Sequence, residues 1–130
     1  MRRIVDASAL IDALLPTTRR DAAVQALSGH ELWAPGILDL EVMSAIWRLV
    51  RAGEVTADEA DRAITHLGTA PIRRLGAPAL RERAWPLRTS LRISDAFYVA
   101  AARALDADLV TSDARLSRAP SLGVTVVLLR

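Results

Sequence analysis

Short apolar runs that give way, again and again, to helical spacing constrain this chain more than any other feature. The first, "RRIVDAS", reads as a buried strand ending at Asp6, after which "ASALIDALL" takes helical spacing and stops near Pro16. "RRDAAVQALSG" is a second helix closed by Gly29, "HELWAP" a brief strand, and "ILDLEVMSAIWRLVRAG" a longer helix stopped at Gly53. Thr56 and Glu59 stand in capping-box spacing, so "TADEADRAITHLG" starts a helix at Thr56. "PIRRL" is strand-like, and "APALRERAWPLR" is helical to about Trp85, before Pro86. "ISDAFYVAAARALDA" has Ser94 as its expected N-cap and is apolar nearly all round, as in a buried helix. "ADLVTSD" is a strand leading to Asp113, "ARLSRAP" a turn or two of helix, and "GVTVVLL" a closing strand. Strands alternating with helices predict a parallel sheet covered on both faces, which places its ligands beyond the C-terminal strand ends. Asp6 and Asp113 both stand at such ends.

The chain has 130 residues, one domain's worth, with no visible repeat or linker. It has no cysteine, hence no disulfide framework, no thiolate nucleophile and no Cys-based zinc site. Lys and Asn are absent too, so every basic residue other than His is Arg; that is the codon bias of a GC-rich genome and suggests a bacterial cytoplasmic protein. The net charge is +2 with a pI near 10.3, compatible with a polyanionic partner and equally with a solvated mixed surface. Asp6 and Asp12 cut the first apolar run below the roughly 7–15 residues of a signal peptide. No stretch approaches the ~18 apolar residues of a membrane span. The expected location is the cytosol, with no membrane partner.

Of the 15 acidic residues most are unexceptional. Glu54, Asp58, Glu59 and Asp61 lie in a polar helix start, and Glu82 lies beside Arg81 and Arg83. Four others sit in apolar or small-residue settings: Asp6 in "IVDAS", Glu41 in "LDLEVMS", Asp95 in "RISDAFYV" and Asp113 in "LVTSDARL". Such carboxylates are costly to bury unless paired, hydrogen-bonded or bound to metal, and no Lys is available to neutralise them. An acidic cluster of this kind suits a hard divalent ion, which takes oxygen ligands. Asp95 follows Ser94 at a predicted helix N-terminus, where the dipole favours its ionised form. On the helix wheel Leu38, Val42, Ala45, Ile46 and Leu49 form a buried stripe with Glu41 at its edge. For any one acid, a cap or turn role is the competing explanation.

The segments "VDASAL", "LEVMSAIWR", "SDAFYVAAA" and "LVTSDARL", in that order and spacing over almost the whole chain, resemble the PIN-domain family, and within it the VapC-type toxins of bacterial toxin–antitoxin pairs. The resemblance implies a three-layer α/β/α sandwich around a mainly parallel sheet, formed by residues 1–130 as one PIN-like domain. It implies a Mg²⁺- or Mn²⁺-dependent endoribonuclease. Its acidic quartet falls on Asp6, Glu41, Asp95 and Asp113; Asp39 is a second acid in "LDLE", passed over on family spacing and on the wheel. Ser8 matches the small hydroxyl residue that supports the first acid, and Thr111 a recurrent Ser/Thr before the last. Asp6, Glu41 and Asp95 are expected to hold the main ion and Asp113 to complete a second, weaker site. Homodimerisation and a VapB-like antitoxin that occludes the acids are also implied.

Arg92, Arg115 and Arg118 are candidates, by proximity in sequence, for holding the RNA backbone outside the acidic pocket. Leu40, Met43 and Trp47 recur at i, i+3 and i+7 on the face of their helix opposite the core stripe, which suggests a protein interface or, alternatively, cover by a neighbouring helix. Asp12 has no partner motif and is expected at the surface. Three rivals stand beside the metal nuclease. In a metal-independent ribonuclease His30 and His66 would be the acid and base. A haloacid-dehalogenase-type phosphotransferase needs an acid two residues after its nucleophile, where this chain has Ser8. A catalytically weak or inactive PIN domain serving as an RNA- or protein-binding module would most simply have lost one of the four acids, and all four are present.

Overall fold

A computed structural model of the protein describes residues 1–119 and 122–130. Five strands, β1 (Arg2–Val5), β2 (Glu31–Pro35), β3 (Ile72–Leu75), β4 (Asp108–Thr111) and β5 (Val126–Leu128), form one sheet in the order β3-β2-β1-β4-β5. Every pairing is parallel, with Ile4 opposite Trp33 on one side and Leu109 on the other. Ile4, Val5, Leu109 and Val110 are fully buried, as continuous apolar runs in a doubly covered sheet must be.

The helices are α1 (Ala7–Leu14), α2 (Arg20–Leu27), α3 (Leu38–Arg51), α4 (Ala57–Thr69), α5 (Ala77–Ala84), α6 (Ile93–Leu105) and α7 (Ala114–Arg118). The chain moves from β1 to β2 to β3 in one direction, then returns past β1 to β4 and β5. Right-handed crossovers therefore put α1–α4 on one face and α5–α7 on the other. In keeping with this, α1 packs on α2, α3 and α4, while α6 crosses β1, β2 and β4 with α5 beside it. Small side chains at Ala96, Ala100, Ala101 and Ala102, all fully buried, let α6 lie close against the strands. The three-layer α/β/α architecture expected from the sequence is the one found.

Local signals set most element ends. Thr56 and Glu59 make both bonds of the capping box, at 3.1 and 3.0 Å. Gly29 and Gly53 follow α2 and α3 at φ of 77° and 75°, a conformation that penalises a side chain. Ser94 is not an N-cap: α6 begins one residue earlier, with extended Arg92 (ψ 151°) as its cap residue and Ser94 inside the first turn. Pro86 does not end the helical path at once; a 3-10 turn, Trp85–Leu87, continues from α5. The closing strand is confined to Val126–Leu128, and Pro120, the last residue of the segment read as the short helix before it, lies outside the described residues. Among the described residues no helix is long and apolar enough to cross a membrane.

Candidate active site

Strand order explains where the acids meet. β1 and β4 are neighbours, but the chain leaves them in opposite directions, so a crevice opens beyond their C-terminal ends. The β1–β4 ladder closes with the Asp6 amide donating to the Val110 carbonyl at 3.0 Å. Asp6 is then the N-cap residue of α1, and Asp113, two residues past β4, is the N-cap of α7. Glu41 and Asp95 lie in the first turns of α3 and α6. Each of the four thus sits at a helix N-terminus, where the aligned peptide dipoles favour a carboxylate.

Hydroxyl groups fix Asp6. Its Oδ2 accepts from Ser8 Oγ at 2.6 Å and from Thr111 Oγ1 at 2.7 Å. Each hydroxyl has one proton and spends it there. Each then accepts from a backbone amide at 3.0 Å, Ser8 from Ser112 and Thr111 from Asp113. Thr111, fully buried, therefore ties the first acid to the loop that carries the last. Thr111→Val removes one donor from Asp6 and strands a backbone N–H. The expected cost is about 1–3 kcal/mol for the unsatisfied group, seen as a lower melting temperature, with a roughly 10–100-fold drop in any cleavage that depends on Asp6. A Val variant unchanged in both would remove Thr111 from the site.

Burial, then like charge, raises three of the carboxyls above their ordinary values. For Asp6 burial outweighs the Ser8 and Thr111 bonds, and Asp113 adds to the rise. For Glu41 burial leads, the bond from Tyr98 opposes, and the charges of Asp6 and Asp95 add. Asp95 is raised by burial and by Asp6, against Arg115 and Arg92. Asp113 alone of the four falls: burial works to raise it, but hydrogen bonds from the side chain and backbone amide of Arg115, and its charge, prevail. Asp6 is therefore coupled to each of the other three acids, and Asp95 to both Glu41 and Asp113.

Several placements differ from those expected from sequence. Arg115 is not outside the acidic pocket; its guanidinium pairs with Asp113 and lies 3.8 Å from Asp95. Arg92 does stand beside these acids, whereas Arg118 lies on another side of α7, in a groove with Arg19 and Arg130. Asp12 is not a surface residue: it is 7% exposed and accepts from the Ser112 hydroxyl. Its signal was present, since Ser8 and Asp12 are four apart on one helix face. Tyr98 was missed. It is buried, with its OH donating to Glu41 Oε1 at 2.7 Å, and its own ionisation is pushed up by burial and by that bond. A tyrosine in a buried helix, three residues from Asp95, needs such a partner. Asp39 is held by Arg74 through two bonds of 2.9 Å, and Arg74 lowers its pKa, so it turns away from the cluster that Glu41 faces. His30 and His66 precede β2 and β3 and so lie toward the opposite edge of the sheet from Asp6 and Asp113. Leu40, Met43 and Trp47 are 69%, 50% and 59% exposed, so no neighbouring helix covers them.

Among the described residues no three carboxylates converge closely enough, as they stand, to ligate one ion together. A small hard cation does not need that, because Mg²⁺ is bound through one or two carboxylates and keeps several waters. The donors are all oxygen, and like charge adds to burial in raising three of the carboxyls, with Arg115 and Arg92 opposing the rise at Asp95 alone. The residues fit such an ion.

A family model described as PIN domain matches residues 3–122. Ribonuclease VapC3 of Mycobacterium tuberculosis is 42% identical over 117 residues, covering 89% of this chain and 85% of its own. The crystal structure of PAE2754 from Pyrobaculum aerophilum aligns over 98% of this chain and 84% of its own, at 25% identity and a TM-score of 0.71. A chain of a toxin–antitoxin complex from Klebsiella pneumoniae has the same fold, over 96% and 95% of the two chains at 20% identity and a TM-score of 0.69.

Proposed function

The chain belongs to the PIN-domain family, and from that membership we propose that it is a VapC-type endoribonuclease, the toxin of a toxin–antitoxin pair, hydrolysing RNA phosphodiester bonds with Mg²⁺ or Mn²⁺ held by Asp6, Glu41, Asp95 and Asp113. The observation that supports the proposal is the charge coupling among these four acids, each at a helix N-terminus, three of them raised by burial and by like charge. One or two divalent ions bound there supply charge neutralisation on the phosphate and a water made nucleophilic near neutral pH.

The chain's own residues do the positioning. Ser8 and Thr111 hold Asp6 through one oxygen, Oδ2, and leave Oδ1 without a side-chain donor among the described residues. Tyr98 holds Glu41 in the same way, through Oε1. Arg115 orients Asp113 and keeps a cation at the rim, where the RNA backbone arrives. Arg92, beside the acids, is a further RNA contact, and Arg118, with Arg19 and Arg130 in their groove, offers the backbone cationic contacts. The assay is cleavage of single-stranded RNA by purified protein: it should require Mg²⁺ or Mn²⁺ and stop with EDTA. Cleavage that resists chelation would overturn the metal reading.

A homodimer and a cognate antitoxin are the proposed protein partners, and the exposed Leu40, Met43 and Trp47 are the proposed contact. Trp47→Ala should weaken dimerisation or antitoxin binding by roughly 30-fold, the effect of losing a buried aromatic anchor of ~2 kcal/mol, as read by analytical ultracentrifugation and by titration with the antitoxin. Both unchanged would remove α3 from the interface.

A further inference from the structure

The geometry points to a nucleobase subsite beside Asp95: the cavity between residues 90–92 and α7 takes an unpaired guanine of the RNA, next to the bond that is cut. This rests on the ribonuclease reading and goes beyond it to the sequence that is read. The cavity has a volume of about 270 Å³. That is just below the roughly 300–1,000 Å³ of pockets for whole small-molecule ligands, so it suits one base. Leu91, Arg92 and Asp95 line one side, and Arg115, Leu116 and Ala119 the other. Leu91, Leu116 and Ala119 offer apolar surface to a flat ring. Asp95, one of the four acids, makes the cavity continuous with the site. The rim is held in place, because the amides of Ser90 and Leu91 both donate to the Leu87 carbonyl, at 3.0 and 2.9 Å.

The polar groups select the guest. A carboxylate in the wall disfavours a phosphate there, and a neutral base meets no such repulsion. Arg115 spends Nε and one terminal nitrogen on Asp113. The Arg92 guanidinium makes no ion pair among the described residues, so its donors are unspent. Arginine only donates, so it reads an edge with two adjacent acceptors. Guanine O6 and N7 form such an edge and so do O2 and N3 of an unpaired cytosine, whereas adenine sets a donor beside its N7; between the two, the larger purine ring covers more of the apolar wall at Leu91 and Ala119. Single-stranded RNA can turn such a base out of its stack.

The test is titration of the full chain, in EDTA, with the 5′-monophosphates of guanosine, adenosine, cytidine and uridine, followed by NMR. The phosphate is common to all four, so differences report the base. GMP should bind about tenfold more tightly than the others, the discrimination of one bidentate pair. Arg92→Ala should abolish the difference, and Leu91→Trp, which fills the cavity, should weaken GMP about tenfold or more. Arg88→Ala removes the same charge from the same loop, but its guanidinium lies over Trp85, 4.6 Å from the ring centre, and does not line the cavity. It should leave GMP binding unchanged. Equal binding of the four nucleotides, or GMP binding unaltered by both Arg92→Ala and Leu91→Trp, overturns the subsite. Guanine selectivity in a protein that cuts no RNA overturns only the nuclease reading. Cleavage with no guanine preference beside the cut overturns only the subsite.

Discussion

Asp6→Asn is expected to cost about a thousandfold or more in RNA cleavage and yet to raise the melting temperature of the metal-free protein. The first effect follows from the several kcal/mol that a divalent ion contributes to a phosphoryl transition state, at ~1.4 kcal/mol per decade of rate. The second follows from the environment of the carboxyl. Its bonds from Ser8 and Thr111 can be accepted by an amide oxygen, so the connection to β4 is kept. What is lost is a buried charge whose pKa is held up by burial and by Asp113. Cleavage assays beside thermal unfolding in EDTA separate the two effects. Full activity in a folded Asn variant would sink the assignment of the first acid; a melting point several degrees lower would show that the hydrogen bonds matter more than the charge.

Manganese at a hundred times its dissociation constant is expected to stabilise the wild-type protein by about 2.7 kcal/mol, on the order of 10 °C in melting temperature for a chain of this size. The pH dependence in EDTA has a definite sign. Asp6, Glu41 and Asp95 have folded-state values above their ordinary ones, so the native chain holds more protons than the unfolded chain between the two. Their contribution to stability falls as pH rises from the ordinary carboxylate range through the raised values, and the deficit is full once all three are ionised. Asp113, lowered, acts the other way: its stabilisation is present above its ordinary value and is lost on acidification through its folded value. Asp113 and the other lowered carboxyls, Glu31, Asp39 and Glu59, act only below their ordinary values, so on mild acidification from neutrality the three raised groups set the sign and metal-free protein should gain stability. The manganese effect should shrink over the same interval, as protons compete for the carboxylates. A melting temperature indifferent to Mn²⁺ at neutral pH would exclude these acids as its site.

What the sequence disclosed was local. Asp6 breaks an apolar run at a strand end, Thr56 and Glu59 stand three apart, and Glu41 falls at the edge of a helical stripe; each can be seen within a few residues. What it concealed is pairing at long range. Tyr98 meets Glu41 across 57 residues, Ser112 meets Asp12 across 100, and Arg74 removes Asp39 from contention across 35. No spacing rule connects such positions, because the crossovers that unite them depend on the whole sheet. Arg115 misled for a related reason: two residues from Asp113, it could point to solvent or fold back, and the capping geometry of α7 turns it onto the acid. Ser94 misled because a good capping side chain is only a preference, and α6 starts where extended Arg92 sets the backbone.

The order of strands also governs when the site comes into being during synthesis. β1 precedes its four sheet partners along the chain and lies at the centre of the sheet, yet one of its two edges has no partner until β4, more than a hundred residues later, leaves the ribosome. Thr111 and Asp113 arrive with that strand and the loop after it, and without them Asp6 lacks its buried hydroxyl donor and the last of the four acids. A ribosome-bound chain shorter than this holds the pieces of a nuclease without the means to assemble it. Translation itself therefore delays assembly of the site until β4 and the loop after it have emerged.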